Sequence, residues 1–424
     1  MDNLFKFFIF FITNLLVLTT FVFSSSAKIS PEKFLDEASL YTVKFRTTIE
    51  KPFREDKKVG LRKGSGFLID KSKGLILTNA HVTGMSKSKI RVAFKDKGFV
   101  SAKQVYVDPE IDMAIVKVNA NDIPKIAKEG KLQCNGKVPN GTSVAAFGHP
   151  KGLSFSASRG IISKYRFWIG KDVIQTDAAI NSGNSGGPLI DLNTGLIVGI
   201  NKSSYKDYQG LSFAVPSGYV CTIVNLYIEG KDPSPIDLPI RFAEDREAEN
   251  YVKVSSFNHK GKNIEIGSLI VAVDGKDINT PTELSFYLRG KSGKAILTFK
   301  KNGNRNKYEV NLKPVQKVLE RKYLYLSGAV IAKDMRSRFE DMEKSFYIHS
   351  VKKGTEAEMA GLWQYCWIKS IDGIEPQNLK EIKKITKNKE SVDIMTRCYS
   401  SRKDVITEDY YVKLKTNNDD IYLN

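Results

Sequence analysis

The chain has 424 residues, which suits roughly two to four domains at about 150 residues each. With 41% hydrophobic and 27% charged residues, the composition excludes an intrinsically disordered chain and a multispan membrane protein. The formal net charge is +19, but it is spread along the chain without a block of like charges. A nucleic-acid-binding tail is therefore not predicted, and binding to an anionic surface has only the net charge to support it.

An apolar run over residues 7–23 follows a single basic residue, Lys6, near the N-terminus. Ser25 and Ala27 then place small side chains at the −3 and −1 positions of a signal-peptidase site. The run is short for a membrane-spanning helix, which needs about 20 residues. The pattern predicts a signal peptide over residues 1–27 and favours it over a retained N-terminal membrane anchor. Either alternative implies export of the remaining chain.

A predicted helix over residues 31–41 opens the rest of the chain, and a second over residues 217–228 precedes a linker at 230–235. Between these helices, short apolar runs bounded by turn residues predict strands. About a dozen strands over about 200 residues predict an all-β sandwich or a pair of barrels. The predicted strands are 41–48, 66–70, 74–78, 90–94, 103–108, 113–118, 143–147, 156–163, 173–177, 189–191, 196–201 and 211–215.

The last part of the chain contains an internal repeat. An apolar strand ends in an Asp-Gly turn at 274–275, and a second such strand ends in an Asp-Gly turn at 372–373. Each turn continues into a short strand and the start of a helix. The repeat predicts two homologous modules, over residues 236–315 and 318–424.

The four cysteines, Cys134, Cys221, Cys366 and Cys398, are far apart and form no CxxC pair. Their spacing excludes a zinc ribbon and a thioredoxin-like motif. Export permits disulfides, and Cys366 and Cys398 both fall in strand-like runs of one segment, where they are candidates to pair. The expectation is nevertheless that the cysteines are free buried thiols.

The sequence contains no apparent metal site or phosphate-binding loop. His149, His259 and His349 lack partners at the spacing that metal ligands require, so they are interpreted as structural or surface residues. We expect the protein to need no cofactor.

Three short motifs carry side chains typical of acyl-transfer chemistry. His81 lies at the end of a predicted strand, where an imidazole can act as a general base. Asp112 opens the apolar strand at 113–118, and Asp108 in the same motif is a rival carboxylate. Ser185 is flanked by glycines, which allow a tight turn that aims backbone N–H groups at one point. Each motif alone has an equally simple structural interpretation.

Together the motifs resemble those of a known family. The order His81, Asp112, Ser185, with Gly-Asn-Ser-Gly-Gly-Pro around the serine, resembles the chymotrypsin-like serine endopeptidases. Gly-Ser-Gly-Phe at 64–67, Thr-Asn-Ala-His-Val around the histidine and Phe-Ala-Val-Pro-Ser further on resemble more narrowly the HtrA/Deg family of exported proteases. The two C-terminal repeats resemble the PDZ domains of that family, so the resemblance covers nearly the whole mature chain.

The resemblance implies a mainly β fold. A chymotrypsin-like double six-stranded β-barrel would occupy residues 28–230, followed by two PDZ-like α+β domains at 236–315 and 318–424. It also implies an ATP-independent serine endopeptidase of the periplasm that degrades unfolded or damaged envelope proteins, with peripheral proximity to the membrane and no nucleic-acid partner. The alternative is a chaperone or scaffold that binds unfolded chains and cleaves them weakly.

The family pattern assigns a role to each residue of the constellation. Ser185 would attack the scissile carbonyl, His81 would accept and return its proton, and Asp112 would hold the imidazole. The backbone N–H groups of Gly183 and Ser185 would bind the oxyanion, with Asn184 shaping the loop between them.

Substrate preference is predicted from two further positions. Relatives that prefer basic P1 residues hold an Asp six residues before the nucleophile, where this chain has Ala179. A Lys or Arg side chain in that pocket would be desolvated without a charge partner, so small or medium apolar P1 residues are predicted. Asn201 is expected to form part of the wall of this S1 pocket.

The two modules differ in their match to peptide-binding PDZ domains. The second, at 324–331, partly matches the glycine-containing loop that receives a peptide carboxylate. The first, at 238–242, has no glycine and carries a proline that cannot donate a hydrogen bond. A packing role is therefore expected for the first module.

Assembly is predicted from the segment that follows the signal peptide. In HtrA-like proteases that segment contributes to a trimer of protease domains. Here it carries the large apolar residues Phe34, Leu35, Leu40 and Tyr41. A helix of this length is marginal alone in water, so it must bury its apolar face on its own barrel or on a neighbour. We expect a homotrimer or a multiple of three.

Overall fold

The computed structural model describes residues 30–56, 59–149, 155–168, 171–204, 210–242, 252–257, 264–333, 346–400, 405–416 and 421–423. The predicted signal peptide and His259 lie outside these ranges. No helix within the described ranges is long and apolar enough to span a bilayer.

The first part of the chain folds into a closed six-stranded barrel. Its strands are β1 Thr42–Ile49, β2 Gly60–Asp70, β3 Leu75–Thr78, β4 Lys89–Ala93, β5 Val100–Asp108 and β6 Met113–Val118. They are joined in the order β1-β2-β3-β6-β5-β4. Inward-facing apolar side chains such as Phe45, Phe67 and Ile115 fill the barrel. Because the end of β3 pairs with the start of β6, the residues that flank these two ends meet at one rim.

A second closed barrel follows. Its strands are β7 Ser143–Gly148, β8 Ser156–Trp168, β9 Lys171–Thr176, β10 Pro188–Asp191, β11 Ile197–Ser204 and β12 Ser212–Pro216. They are joined in the order β10-β11-β12-β9-β8-β7. Phe147, Ile200 and Val215 of this barrel belong to the same apolar cluster as the core of the first, so the two barrels share one core. The predicted double six-stranded barrel is confirmed.

Within the described residues, three α-helices accompany the barrels: α1 Pro31–Tyr41, α2 Ala80–Thr83 and α3 Ser217–Ile228. Helix α1 has the predicted bounds; proline opens it, and Thr42 adopts an extended conformation that ends it. Ala38 and Tyr41 are buried in the barrel core, and the Phe34 ring lies against Gly195. Helix α1 therefore packs on its own barrels.

The first C-terminal module is a sheet crossed by one helix. Its elements are β13 Ile240–Phe242, β14 Val252–Phe257, β15 Leu269–Val273, β16 Lys276–Asp277, α4 Pro281–Leu288, β17 Lys294–Lys301 and β18 Asn304–Asn311. The sheet order is β13-β14-β15-β17-β18, with β16 paired to β15. Thr280 caps α4 by accepting a hydrogen bond from the Glu283 N–H.

The second module repeats this plan with a larger sheet. Its elements are β19 Leu324–Leu326, β20 Ala329–Lys333, β21 Phe346–Val351, α5 Glu356–Met359, β22 Cys366–Ile371, α6 Leu379–Thr386, β23 Ser391–Ser400, β24 Val405–Lys415 and β25 Ile421–Leu423. The order is β24-β23-β22-β21-β20-β19-β25. Asp274 and Asp372 have φ values of 49° and 48°, so the repeated Asp-Gly turns share one backbone conformation. Strand β20, which follows the predicted carboxylate loop, is paired on both edges, which leaves it no edge for an added peptide strand.

All four cysteines are in disulfides, so the expectation of free thiols is wrong. Cys366 and Cys398 lie directly opposite each other on β22 and β23. Cys134 and Cys221 are 87 residues apart in sequence, yet their Cα atoms are 5.6 Å apart because α3 packs back on the second barrel. The register of β22 and β23 thus brings Cys366 and Cys398 together, whereas the packing of α3 brings Cys134 and Cys221 together.

Candidate active site

His81 and Asp112 meet at the rim where β3 and β6 are paired. His81 lies on α2, immediately after β3, and its Nδ1 is 2.9 Å from Asp112 Oδ2. The His81 backbone N–H also donates to Asp112 Oδ1 at 3.0 Å. The carboxylate therefore fixes both the ring and the backbone of the histidine. The imidazole remains partly exposed, with 44% of its side-chain surface accessible, while the carboxylate is largely buried.

The charge state of Asp112 suits this arrangement. Burial acts to raise the pKa of Asp112, but the adjacent His81 and their mutual hydrogen bonds outweigh it and hold the pKa below its usual value. An ionised carboxylate accepts the Nδ1–H of the ring, which leaves Nε2 as the free basic nitrogen. This is the tautomer that a general base needs.

The backbone at Asp112 is unusual and is held from two sides. Its φ is +63°, in the left-handed region that non-glycine residues seldom occupy. The Asn79 side-chain amide donates to the Asp112 carbonyl at 2.9 Å. On the other side, Asp108 accepts hydrogen bonds from the N–H groups of Glu110 and Ile111 in the preceding turn. Of the two candidate carboxylates, Asp112 is the one that contacts His81, whereas Asp108 stabilises the turn that precedes Asp112.

Ser185 lies on a tight loop between β9 and β10. Its Oγ donates to the Lys202 carbonyl at 2.9 Å, and within the described residues no hydrogen bond joins it to His81. Gly186 has a φ of +86°, and a Cβ there would lie 2.2 Å from the Ser65 carbonyl oxygen, so only glycine lets the loop approach the first barrel so closely. The Ser65 N–H donates in return to the Ser185 carbonyl at 2.8 Å.

Two backbone donors beside Ser185 have no acceptor in the described part of the chain: the N–H groups of Gly183 and of Ser185 itself. The Asn184 N–H, by contrast, donates to the Asn181 carbonyl at 2.9 Å and so closes the loop. Two uncommitted N–H groups next to a hydroxyl can bind a developing oxyanion.

Ser65 and His149 support this loop, and the sequence did not identify them as site residues. Ser65 Oγ donates to the Gly183 carbonyl at 2.7 Å, and His149 Nδ1 lies 3.2 Å from the same Oγ. Burial and then the charge of Lys44 lower the pKa of His149 to about 3, so its ring is neutral near pH 7. Because the single hydroxyl proton goes to Gly183, His149 Nδ1 must carry a proton and donate it. The only sequence signal was the Gly-Ser-Gly-Phe motif that contains Ser65.

The two predicted S1 residues have different environments. Ala179 is exposed on the segment between β9 and β10. Asn201 is fully buried, and its side-chain amide donates to the carbonyls of Phe147 and Pro188 at 3.2 and 3.0 Å. The Asn201 side chain thus faces the barrel interior. The neighbouring group that faces Ser185 is the Lys202 carbonyl.

Parts of the chain are similar to known proteins. The trypsin-like peptidase domain family matches residues 64–200. A probable periplasmic serine endoprotease DegP-like from Pseudomonas putida (strain W619) is 34% identical over 272 residues, which are 59% of this chain and 55% of the relative. The putative serine protease HhoB from Synechocystis sp. is 37% identical over 189 residues, 41% of this chain and 42% of the relative. The chain spans about half the length of the curated relatives that it matches.

Solved structures show the same likeness. The crystal structure of the serine endoprotease from Yersinia pestis superimposes with a TM-score of 0.51 and 24% identity, covering 68% of this chain and 98% of that one. The HtrA-type protease AlgW with tripeptide gives a TM-score of 0.52 and 25% identity, covering 67% and 98%. Residues 64–200 thus match the trypsin-like peptidase domain family, and the chain is similar over part of its length to HtrA/DegP-type serine endoproteases.

Proposed function

We propose that the protein is a serine endopeptidase that uses Ser185, His81 and Asp112 as its triad. The observation that carries the proposal is the His81–Asp112 pair on the first barrel, next to a loop of the second barrel that carries Ser185 and two uncommitted N–H groups. Gly186 of that loop lies against Thr78 and Asn79, which immediately precede the helix of His81. The homology to named serine endoproteases supports it.

The proposed reaction begins with a rotation about the Cα–Cβ bond of Ser185. That rotation takes Oγ from the Lys202 carbonyl towards His81 Nε2, and such hydrogen bonds often form only with substrate bound. Oγ then attacks the scissile carbonyl while its proton passes to Nε2. The carbonyl oxygen becomes an oxyanion held by the N–H groups of Gly183 and Ser185. The imidazolium, stabilised by Asp112, gives its proton to the leaving amine, and water hydrolyses the acyl-enzyme by the same route.

The proposed substrates are unfolded or damaged proteins of the cell envelope, cleaved in the periplasm. The predicted signal peptide and the periplasmic relatives support this assignment. Digestion of casein and of a denatured protein, beside the native form of the same protein, tests it. A protein that suppresses aggregation of denatured chains but leaves them uncut would instead favour the chaperone or scaffold alternative.

The P1 preference is expected to be small and apolar. Peptides with Val, Ala or Ile at P1 should have a kcat/KM at least roughly tenfold higher than that of the same peptide with Lys at P1. The reason is that Ala179 offers no charge partner to the desolvated ammonium of a P1 Lys. A paired comparison with Ala179→Asp sharpens the test, since the added carboxylate should raise cleavage after Lys. Preferred cleavage after Lys or Arg by the wild type would contradict this assignment of the pocket floor.

We propose that the protein assembles as a trimer, or a multiple of three, through its protease domain. Helix α1 buries Ala38 and Tyr41 on its own barrels, but Phe34, Leu35 and Leu40 remain only half-buried and offer an apolar edge to a neighbour. The number three follows from the resemblance to HtrA-like proteases, in which the corresponding segment contributes to a trimer.

Deletion of residues 28–40 is expected to yield monomers with weakened activity, because the partner-facing edge of α1 is removed. Light scattering at micromolar concentration measures the outcome. The proposed assembly would be contradicted if the wild-type protein were a monomer. It would also be contradicted if the deletion variant kept the same number of subunits per particle as the wild type.

A further inference from the structure

Arg289 follows α4 of the first C-terminal module, yet its guanidinium lies inside the protease domain. The residue is 4% exposed, and its side chain is fully covered. Its Nη1 contacts Asp108 Oδ2 at 2.5 Å and the Pro233 carbonyl at 2.6 Å, and its Nη2 contacts Glu110 Oε2 at 2.6 Å. An arginine that bridges two carboxylates of another domain is fixed in position as well as charge-compensated.

The same helix is docked on the barrels by apolar contacts. Phe286 belongs to the shared barrel core, with its ring centroid 4.4 Å from that of Tyr219. The Arg289 guanidinium stacks on Phe286 at 4.3 Å, and Ser285 Oγ donates to Glu110 Oε2 at 2.9 Å. Helix α4 is therefore an integral part of the domain interface, and Arg289 has little freedom to leave it.

The carboxylates that Arg289 holds belong to the turn that carries Asp112. The two carboxylate oxygens of Asp108 have different partners. Oδ2 accepts a hydrogen bond from Arg289, while Oδ1 accepts hydrogen bonds from the N–H groups of Glu110 and Ile111. The next residue is Asp112, in its left-handed conformation. A chain of contacts thus runs from the first module through Asp108 and its turn to the carboxylate beside His81.

We propose that Arg289 is a positioning residue of the triad, so that docking of the first C-terminal module completes the active site of the barrels. This inference rests on the proposed function. Arg289 acts through Asp108 and the turn on Asp112, and it does not touch substrate.

Arg289→Met is the direct test. Because a displacement of about 1 Å at a catalytic group costs up to about a hundredfold in rate, we expect kcat on an apolar-P1 peptide to fall roughly tenfold to a hundredfold. KM should change less than about twofold, since the barrels' binding surface is intact. The downfield proton resonance of the His81 Nδ1–H, which reports its bond to Asp112, should broaden or shift. Arg289→Lys keeps the charge and should recover part of the lost kcat.

Two further variants separate positioning from general destabilisation. Thr282 Oγ1, on the same helix, accepts a hydrogen bond from the Asp172 backbone N–H of the second barrel. Thr282→Val removes this bond and should leave both kcat and the His81 resonance unchanged. The double variant Asp108→Asn with Arg289→Met leaves no buried unpaired carboxylate at residue 108, so it should fold even where the single variant does not. If Arg289 acts through Asp108, the kcat of the double variant should equal that of Arg289→Met within about twofold.

Wild-type kcat and an unchanged His81 resonance in Arg289→Met, or in the double variant, would overturn the inference while leaving the protease assignment intact. A double variant whose kcat is clearly lower than that of Arg289→Met would also overturn the inference, because the two substitutions would then act independently. Failure of the proposed function would appear separately, as casein cleavage that survives Ser185→Ala.

Discussion

Ser185→Ala is expected to lower kcat on casein or an apolar-P1 peptide by roughly 10⁶, the loss measured when the nucleophile of another serine protease is removed. Without the hydroxyl no acyl-enzyme forms, and only direct attack by water on the scissile carbonyl remains, assisted by the backbone N–H groups of residues 183 and 185. The fold should be unchanged, because the one hydrogen bond of Oγ among the described residues goes to the Lys202 carbonyl, and removal of a hydroxyl from this half-buried loop residue opens no core cavity. Steady-state kinetics with circular dichroism measures both effects.

Ser182→Ala is the matched control, since Ser182 is an exposed serine of the same loop. It should keep wild-type activity. Retained proteolysis in a folded Ser185→Ala protein would exclude this serine as the nucleophile.

Asp112→Asn is expected to lower kcat by roughly 10⁴, the loss seen for the equivalent change in another triad. The asparagine side chain can donate to His81 Nδ1 and so favours the tautomer with the proton on Nε2, which cannot act as a base. Binding should change little, so KM should stay close to the wild-type value. The left-handed backbone is compatible with asparagine, and the variant should fold.

The control for this change is Asp96→Asn. Asp96 also has a positive φ, of 56°, but it is exposed on the turn between β4 and β5 and is not part of the proposed triad. It therefore isolates the effect of the chemical substitution on the backbone. Its kcat should equal that of the wild type. A kcat for Asp112→Asn within about tenfold of the wild-type value would contradict the role given to Asp112.

Much of the barrel architecture could be predicted from the sequence because its determinants are local. Each predicted strand overlaps one strand of the two barrels, since apolar alternation and turn residues together specify where a half-buried strand begins and ends. Helix α1 was equally predictable from its proline start and apolar spacing. The site residues were identified by their order and by the family motifs, because a triad comes from segments that are remote in sequence.

Features that depend on tertiary packing were not predictable. The Cys134–Cys221 disulfide requires α3 to pack against the second barrel, which no spacing in the sequence encodes. The course of β11 after Asn201 depends on a bulge at Lys202, since the pairing of β11 with β12 shifts register between Asn201 and Ser203. An irregularity of this kind interrupts the two-residue alternation of side chains. The contact of Arg289 with Asp108 likewise joins residues that only domain docking brings together.

The most direct test of the proposed triad is to label the wild-type protein with a fluorophosphonate probe and to locate the adduct by peptide mass spectrometry. The probe reacts only with a serine that is activated as a nucleophile. We expect a single covalent adduct on Ser185, which Ser185→Ala abolishes and whose formation Asp112→Asn slows strongly. An adduct on a different residue, or unlabelled Ser185 in protein that digests casein, would contradict it.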